Sequence, residues 1–317
     1  MKILKLSFFA VSLFLLSHGI AQAQSVELFV AAKDNCVGQV SDTSGNLYRV
    51  NLTNATSDLI GPIGFLGLSA LEFLGDGRLV GSASDDGPNK DPRRSILIDI
   101  NPETGSGTLI GQIGNDDNDN ECGRAPGLTY DSASNSLFAT ADSCFDMDDY
   151  LQTINQATGH GTLIGAYNPP FDGCGNGIAI RDDGVIFAAV CEELITVNPQ
   201  TGAGTKVADL NTGVEPEFAI INALAFHPVT GDLYGTTVDS GSESPNKRSS
   251  TLVILDTTTG ETTFIGDLPD CSDGLVFKIV PRNIPTLSEW GLIAMVALLG
   301  LAGLFFVAWR KCLTEPA

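Results

Sequence analysis

The chain has 317 residues, of which 38 are acidic and 17 are basic, and its formal net charge is −21. A surface this negative repels the phosphates of nucleic acids, so the composition argues against a nucleic-acid partner. It suits an exported protein that must stay soluble, or one that attracts cations. The length allows one large domain between two short terminal segments.

The first segment, residues 1–23, has the three parts of a secretory signal peptide. Lys2 and Lys5 precede an apolar run from Leu6 to Leu16, and Ala21-Gln22-Ala23 forms a small-residue cleavage site. We therefore expect cleavage after Ala23 and an exported body at residues 24–283. The alternative is an N-terminal membrane anchor, for which the apolar run is short.

A β-hairpin pattern occurs five times in the body. An alternating apolar run ends in Asn or Asp, a turn follows, and a second short strand closes the hairpin. The copies are Leu47–Gly61, Ile96–Gly111, Leu151–Gly165, Leu194–Ala208 and Leu252–Gly266. Four copies have Thr-Gly in the turn, where Gly supplies a positive φ. The first copy has no Gly there, and its sequence predicts that Asn54 takes the left-handed conformation.

A second unit precedes the hairpins and consists of a strand, a polar turn and another strand. Its full copies are Ala70–Gly81, Gly127–Ala139, Gly177–Ala188 and Ala223–Gly235. Unit and hairpin together give four short strands, A to D, with a period of about 50 residues, which is typical of a propeller blade. Lone strands at Gly274–Phe277 and Glu27–Ala31 supply strands A and B of one further blade. The sequence thus predicts an all-β, five-bladed β-propeller closed by pairing of its N-terminal and C-terminal strands. A β-helix is the alternative.

The connections between strands differ in length on the two faces of this fold. Because strand direction alternates, the B–C and D–A connections emerge on one face, which we call the long-loop face. The A–B and C–D connections emerge on the opposite, short-loop face. The long connections are all of the first kind, at residues 84–94, 112–126, 141–149, 166–176, 209–221 and 239–249. Loops of variable length on a rigid frame commonly carry function. Every strand A also begins with Gly or Ala, as expected where inner strands crowd together.

Six of the seven cysteines lie in the exported body, where disulfides form. Each pair flanks strands A and B of one blade, so antiparallel pairing brings its members together on the long-loop face. We predict the disulfides Cys36–Cys271, Cys122–Cys144 and Cys174–Cys191. The alternative is a metal site or free buried thiols. Cys312 is left unpaired.

Acidic residues in the long connections are candidates for calcium binding, because Ca²⁺ prefers oxygen ligands. The candidates are Asp116, Asp117, Asp119, Asp146 and Asp148. A solvated acidic loop is the alternative. His160 and His227 are interpreted as turn residues on the short-loop face, and the motifs of serine hydrolases, zinc proteases and P-loop enzymes are absent from the sequence.

The last segment resembles the IPTL-CTERM sorting signal of Gram-negative bacteria. The motif residues are Ile284, Pro285, Thr286, Leu287, Ser288, Glu289, Trp290 and Gly291. An uncharged run at residues 291–309 predicts a transmembrane helix, and the basic tail at residues 310–317 marks its cytoplasmic end. The resemblance implies that an exosortase-type membrane enzyme removes the helix. The alternative is a plain single-pass anchor.

These patterns lead to an expectation about function. We expect an exported protein, anchored in the inner membrane before processing and then found at the cell surface or outside the cell. It would be a non-catalytic propeller that binds a glycan or protein partner through its acidic long-loop face. The alternative is a five-bladed hydrolase or lyase that acts on extracellular polysaccharide with a metal or paired carboxylates. Strand A carries Glu72 and Arg181 but no acidic set repeated from blade to blade.

Overall fold

The computed structural model describes residues 25–32, 45–85, 94–114, 123–142, 149–167, 175–211, 219–239, 249–280 and 289–312. The chain divides into two compact units. Residues Val26–Ile279 form the unit that contains the sheets, and the C-terminal helix belongs to the other.

Twenty strands are found among the described residues. In chain order they are β1 (Ser25–Ala32), β2 (Asn46–Val50), β3 (Ser57–Pro62), β4 (Ala70–Phe73), β5 (Leu79–Ser84), β6 (Ser95–Ile100), β7 (Gly107–Gln112), β8 (Leu128–Asp131), β9 (Ser136–Asp142), β10 (Asp149–Ile154), β11 (Gly161–Ala166), β12 (Gly175–Ile180), β13 (Ile186–Val190), β14 (Glu193–Val197), β15 (Gly204–Asp209), β16 (Ala219–Phe226), β17 (Leu233–Asp239), β18 (Ser250–Leu255), β19 (Thr262–Leu268) and β20 (Ser272–Val280).

The strands form five sheets of four, which confirms the predicted five-bladed propeller. Blades I to IV are the sheets β4–β7, β8–β11, β12–β15 and β16–β19, each a simple meander. Blade V has the order β20-β1-β2-β3, so the last strand of the body lies beside the first. The Ser25 hydroxyl at the start of β1 also donates to the Val280 carbonyl at the end of β20, at 3.4 Å.

The apolar core lies between the sheets and not within a single one. Alternating side chains project from the two faces of each blade and pack against the blades on either side. One buried cluster joins blades I and II, one joins II and III, and one joins III and IV. A fourth cluster joins IV to V through Leu252 and Phe277, and a fifth joins V to I through Phe29 and Leu71.

The C–D turns share one backbone conformation. In blade I the Gly105 N–H donates to the Asn101 carbonyl at 2.8 Å, and Gly105 has a φ of 80°. In blade V the Ala55 N–H donates to the Asn51 carbonyl at 2.8 Å, and Ala55 has a φ of 56°. The prediction that Asn54 takes the left-handed conformation is therefore wrong. The turn's hydrogen bond fixes which position is left-handed, and this requirement overrides the local preference of Asn.

Glycines near the end of strand D allow neighbouring blades to approach each other. A Cβ built on Gly111 of β7 would overlap the Thr158 carbonyl in the C–D turn of the next blade. Gly165 stands in the same relation to the Thr201 carbonyl, and Gly266 to that of Asn54. Without side chains at these positions, these outer strands pack directly on the backbone of the following turn.

The small residues predicted to open each strand A also lie at close inter-blade contacts. A Cβ on Gly177 would lie 3.1 Å from the Ala223 carbonyl carbon, and a Cβ on Gly274 would lie 3.2 Å from that of Ala70. The inner strands of adjacent blades therefore run side by side at this end, as their sequences predict.

The C-terminal helix α1 spans Glu289–Cys312. It covers the predicted segment 291–309, and several of its apolar side chains are exposed, among them Leu298, Leu304 and Phe305. Within the described part of the chain, however, no helix combines the length and the apolar character needed to cross a membrane. The transmembrane segment at residues 291–309 stays a prediction. The signal peptide predicted at residues 1–23 lies outside the described residues.

Candidate functional site

One residue of each blade stands just before the small residue at the predicted start of strand A, near the long-loop end of the inner strands. We call these the mouth residues. They are Ser69, Pro126, Asn176, Asn222 and Asp273, from blades I to V in turn. Four of the five carry an oxygen in their side chains. Because the inner strands run side by side at this end, the repeat places these positions at the same end of neighbouring inner strands.

Two mouth residues from different blades touch each other. The side-chain amide of Asn222, on β16, donates to the Asp273 carboxylate, on β20, across 51 residues of sequence. Both residues are partly exposed. The pairing of β16 with β17 shifts register between Ile221 and Ala223, so Asn222 occupies a bulge. A bulge commonly redirects a side chain away from the regular face of its strand.

Deeper along the inner strands, side chains cross from one blade to the next. The Glu72 carboxylate accepts the Phe73 N–H at 2.8 Å and the Tyr130 N–H of blade II at 3.2 Å. The Thr129 hydroxyl, at the same strand position in blade II, accepts the Ile180 N–H of blade III at 2.9 Å. These side chains satisfy backbone donors on the inner edge of the next blade, where no further strand is available.

The environment of Glu72 alters its protonation. The residue keeps some exposure, but packing around the carboxyl group dominates. Burial raises the pKa of Glu72 to about 8, against the effect of its two backbone N–H donors. Since both oxygens accept backbone hydrogen bonds, Glu72 acts as a clamp between blades I and II. A carboxyl group held in this way is poorly placed to transfer a proton to a substrate.

Buried polar groups line the base of the long-loop face. Ser95 and Ser250, at the start of strand C, accept the N–H groups of Ala125 and Ser272 at 3.2 and 3.0 Å. Asp149 replaces them at this position in blade II and is buried. Nearby, the Tyr167 hydroxyl is buried and makes no hydrogen bond. Burial, and secondarily the charge of Asp149, raises the pKa of Tyr167 well above its usual value.

The two histidines of the body differ in their surroundings. His160 is an exposed turn residue, as expected from its sequence. His227 is partly buried, and its ring lies 5.0 Å from that of Phe277 in blade V. Its Nδ1 accepts the N–H groups of Val229 and Thr230 at 3.2 and 3.1 Å. His227 is therefore a turn residue, as predicted, but its ring also packs across the junction of blades IV and V.

The predicted disulfides fall largely outside the described residues. Cys36, Cys122, Cys144 and Cys174 are among the residues not described. Cys191 and Cys271 lie in the short B–C and D–A connections of the long-loop face. Both have a positive φ, of 51° and 62°. The three pairings stay predictions.

The calcium candidates Asp116, Asp117, Asp119, Asp146 and Asp148 also lie outside the described residues. Asp85, which precedes one long connection, is buried and accepts a hydrogen bond from the Gln112 side chain at 2.9 Å. Within the described ranges, no group of three or more His, Cys, Asp or Glu side chains is arranged to hold a metal.

The sorting-motif residues straddle the start of α1. Glu289, Trp290 and Gly291 form its first turn, and residues 284–288 lie outside the described part of the chain. A profile of the IPTL-CTERM motif matches residues 284–311. The resemblance found in the sequence is therefore confirmed.

Comparison with known proteins extends to the fold. No curated protein matches the chain at a significant level. A chain of a nidogen/laminin complex is 13% identical over 80% of this chain and 98% of its own, with a TM-score of 0.47. A GH43 β-1,3-galactosidase with galactodeoxynojirimycin is 11% identical over 75% and 90%, with a TM-score of 0.50. TolB from Acinetobacter baumannii is 11% identical over 75% and 52%, with a TM-score of 0.43.

At such low identity the likeness concerns the fold alone. The sheets and the matched motif together define an all-β, five-bladed propeller that carries an IPTL-CTERM sorting signal. This signal implies, in general, an exported and surface-sorted protein that is processed by an exosortase-type enzyme.

Proposed function

We propose that the protein is a non-catalytic surface propeller that binds a glycan or a protein partner through its long-loop face. The observation that carries the proposal is the joining of two parts in one chain: a propeller, and immediately after it a surface-sorting signal. The proposal includes a signal peptide at residues 1–23, a propeller at 24–283, a sorting motif at 284–291 and a basic tail at 310–317. Export precedes sorting, and an exosortase-type enzyme then processes the C-terminus.

Closure of the blades into a ring is part of the proposal. It is supported by the order of strands in blade V and by the apolar clusters that blade V shares with both blades IV and I. A closed ring protects all inner strands and leaves no open end to the array of blades. It gives the long-loop face a rigid frame.

The three disulfides Cys36–Cys271, Cys122–Cys144 and Cys174–Cys191 also belong to the proposal. Cys191 and Cys271 both lie in connections on the long-loop face, as the pairings require. On the loop-entropy account, a bond from Cys36 to Cys271 would contribute about 4–5 kcal/mol, since it closes a very long loop. Non-reducing peptide mapping of the exported protein tests the connectivity directly.

The hydrolase or lyase alternative receives less support. The carboxyl group with a raised pKa is Glu72, and its two oxygens accept backbone N–H groups. A general acid must instead reach the leaving group of a substrate. The likeness to a galactosidase concerns the fold and transfers no catalytic residue.

The partner-binding face is tested by matched charge reversals. Glu192 and Asp270 are exposed on the long-loop face, and Glu103 and Asp182 are exposed on turns of the short-loop face. Replacing both acidic residues of either pair by Lys changes the net charge by the same amount. Binding to a glycan array and to extracellular polysaccharide from the producing cell should fall at least tenfold for Glu192→Lys/Asp270→Lys. The short-loop pair should bind like the wild type, and an equal loss in both variants would contradict the assignment of the face.

Processing is tested in a host that contains an exosortase-type enzyme. Mass spectrometry of the surface protein should show loss of the C-terminal segment in the wild type and its retention in Pro285→Ala. Thr314→Ala lies outside the matched residues and serves as the control. Normal processing of the Pro285 variant would oppose a role for the motif.

A further inference from the structure

The first and last strands of the body end together on the short-loop face. In blades I to IV strand A runs toward the short A–B turn, and β20 is strand A of blade V, so Val280 at its end lies on this side. Strand β1 lies beside β20 and begins here with Ser25, whose hydroxyl donates to the Val280 carbonyl at 3.4 Å. The chain therefore enters and leaves the body at one place, where each other blade has a turn.

These two strands continue past the regular blade as a pair that we call the terminal ribbon, residues 25–27 and 278–280. Strand β2 pairs with β1 from Leu28 to Ala32, and residues 25–27 extend past it. On the other strand, Phe277 stands at the repeat position where strand A of blade I ends. Three further residues in each strand extend the ribbon by about 10 Å at roughly 3.3 Å per residue.

Two exposed apolar side chains lie beside this ribbon. Ile279 is 43% exposed and, two residues after Phe277, projects from the same side of β20, toward blade IV. Val229 is 59% exposed in the A–B turn of blade IV, and its N–H donates to His227, whose ring contacts that of Phe277. In the described part of the body, the other large apolar side chains of such exposure lie on outer strands and are Leu59, Leu109, Leu163 and Phe264.

The sorting motif follows the ribbon closely in sequence. Residues 281–283 separate Val280 from Ile284, where the matched segment begins. A chain spans at most about 3.6 Å per residue, so covalent geometry holds Ile284 within about 14 Å of Val280 along any path. A body of this length has a radius of gyration of about 18 Å, which is more than this reach. An enzyme that binds the start of the motif must therefore approach the short-loop face.

We propose that the short-loop face at the junction of blades IV and V, together with the terminal ribbon, is the docking surface for the exosortase-type processing enzyme. Val229 and Ile279 supply apolar contacts to the enzyme. This inference rests on the proposed function in that it requires the chain to be processed. Because the surface partner binds the opposite face, the protein can hold its partner while the enzyme acts on the motif.

The first experiment blocks one face at a time and measures the rate of C-terminal processing by mass spectrometry, using the full-length chain in membranes that contain the enzyme. An epitope is inserted between Asp76 and Gly77, in a turn of the short-loop face, or between Glu243 and Ser244, in a long connection of the opposite face. An antibody fragment bound to the first epitope should slow processing at least tenfold, and one bound to the second should slow it less than twofold. A linker of about 20 Gly and Ser residues after Asn283 adds roughly 25 Å of reach and should relieve the block.

Matched substitutions then test the apolar contacts. Val229→Ser/Ile279→Ser alters two side chains that are 59% and 43% exposed, and Leu59→Ser/Leu109→Ser alters two on outer strands that are 61% and 48% exposed. The first double variant should be processed at least fivefold more slowly than the wild type, and the second should be processed at the wild-type rate. Circular dichroism checks that both variants are folded.

The proposal is overturned if the fragment on the short-loop face leaves the rate unchanged, if the fragment on the long-loop face slows processing equally, or if both double variants are processed alike. If Val229→Ser/Ile279→Ser also loses binding to enzyme-free vesicles of phosphatidylethanolamine and phosphatidylglycerol, the face contacts lipid and its assignment to the enzyme is wrong. Absence of processing in the wild type would refute both this inference and the processing step of the proposed function. Normal processing that no fragment slows would refute the docking surface alone.

Discussion

Replacing Gly111 by Ala tests the packing of each outer strand on the next turn. The added Cβ would lie 2.9 Å from the Thr158 carbonyl carbon and would overlap its oxygen. The obstructing group is backbone, so relief requires blades I and II to separate and not merely a side chain to rotate. Overpacking of this kind costs about 1–3 kcal/mol, and a backbone obstacle places the cost near the upper end.

The unfolded state offsets part of this cost. Ala restricts the unfolded chain more than Gly and so stabilises the folded state by about 0.4–1 kcal/mol. We therefore expect Gly111→Ala to lower the free energy of unfolding by about 2–3 kcal/mol, or the melting temperature by roughly 5–10 °C. Urea unfolding followed by circular dichroism measures the first quantity, and a thermal scan measures the second.

Gly77→Ala separates steric overlap from backbone strain. Gly77 has a φ of 89°, and no atom lies within 4 Å of a Cβ built there. This variant should lower the free energy of unfolding by only about 1–2 kcal/mol, because Ala is strained in the left-handed conformation. In blade III this position already carries a side chain, because Ala208 stands where Gly111 stands in blade I. If Gly111→Ala unfolds within 0.5 kcal/mol of the wild type, the reasoning about inter-blade packing is refuted.

Four further substitutions test the polar side chains of the blades. Glu72 has a folded pKa above its unfolded value, so its contribution to stability is present in full below pH 4.5 and is lost as pH rises toward 8. Glu72→Gln should flatten this fall of stability with rising pH, whose slope is at most about 1.4 kcal/mol per pH unit. An unchanged slope in the variant would show that Glu72 does not cause the fall. His227 has a pKa lowered by burial, so its contribution is present above the unfolded value of 6.5 and is lost as pH falls below it. His227→Asn can still accept the turn's N–H groups, so its acid unfolding should begin at lower pH than in the wild type. Tyr167→Phe removes a buried hydroxyl that makes no hydrogen bond and should raise the free energy of unfolding by about 1 kcal/mol. Tyr130→Phe removes a 2.6 Å hydrogen bond and should lower the free energy of unfolding by a similar amount. Equal effects of the two substitutions would contradict this account.

Much of the fold could be predicted because each repeat unit carries the same types of residue at the same positions. An Asn or Asp followed four residues later by Gly marks the C–D turn in four blades, and a small residue marks the start of strand A. Each signal has a local cause, in a positive φ or a close approach of backbones. Ala55 shows the limit of this reasoning, because its left-handed conformation is imposed by the turn's hydrogen bond and not by its own preference.

The polar contacts of the inner strands were harder to predict. Nothing local marks Glu72 or Asn222, since their partners lie 58 and 51 residues away. A comparison of the residues just before strand A across all blades would have pointed to the mouth residues, among which Asn176, Asn222 and Asp273 succeed one another. The packing of His227 could not be predicted locally, because its neighbour Phe277 belongs to the lone strand at the other end of the body.

The order of strands in blade V has a consequence for biosynthesis. Strand β1 is made first, but its neighbour β20 appears only after residues 33–271 have been synthesised. At about 5–20 residues per second, β1 waits roughly 10–50 s for that partner. Throughout this interval one edge of β1, with Leu28, Phe29 and Val30, is open to pairing with other chains. The nascent protein is therefore most in need of a chaperone at its oldest strand, and the need ends only when β20 has been made.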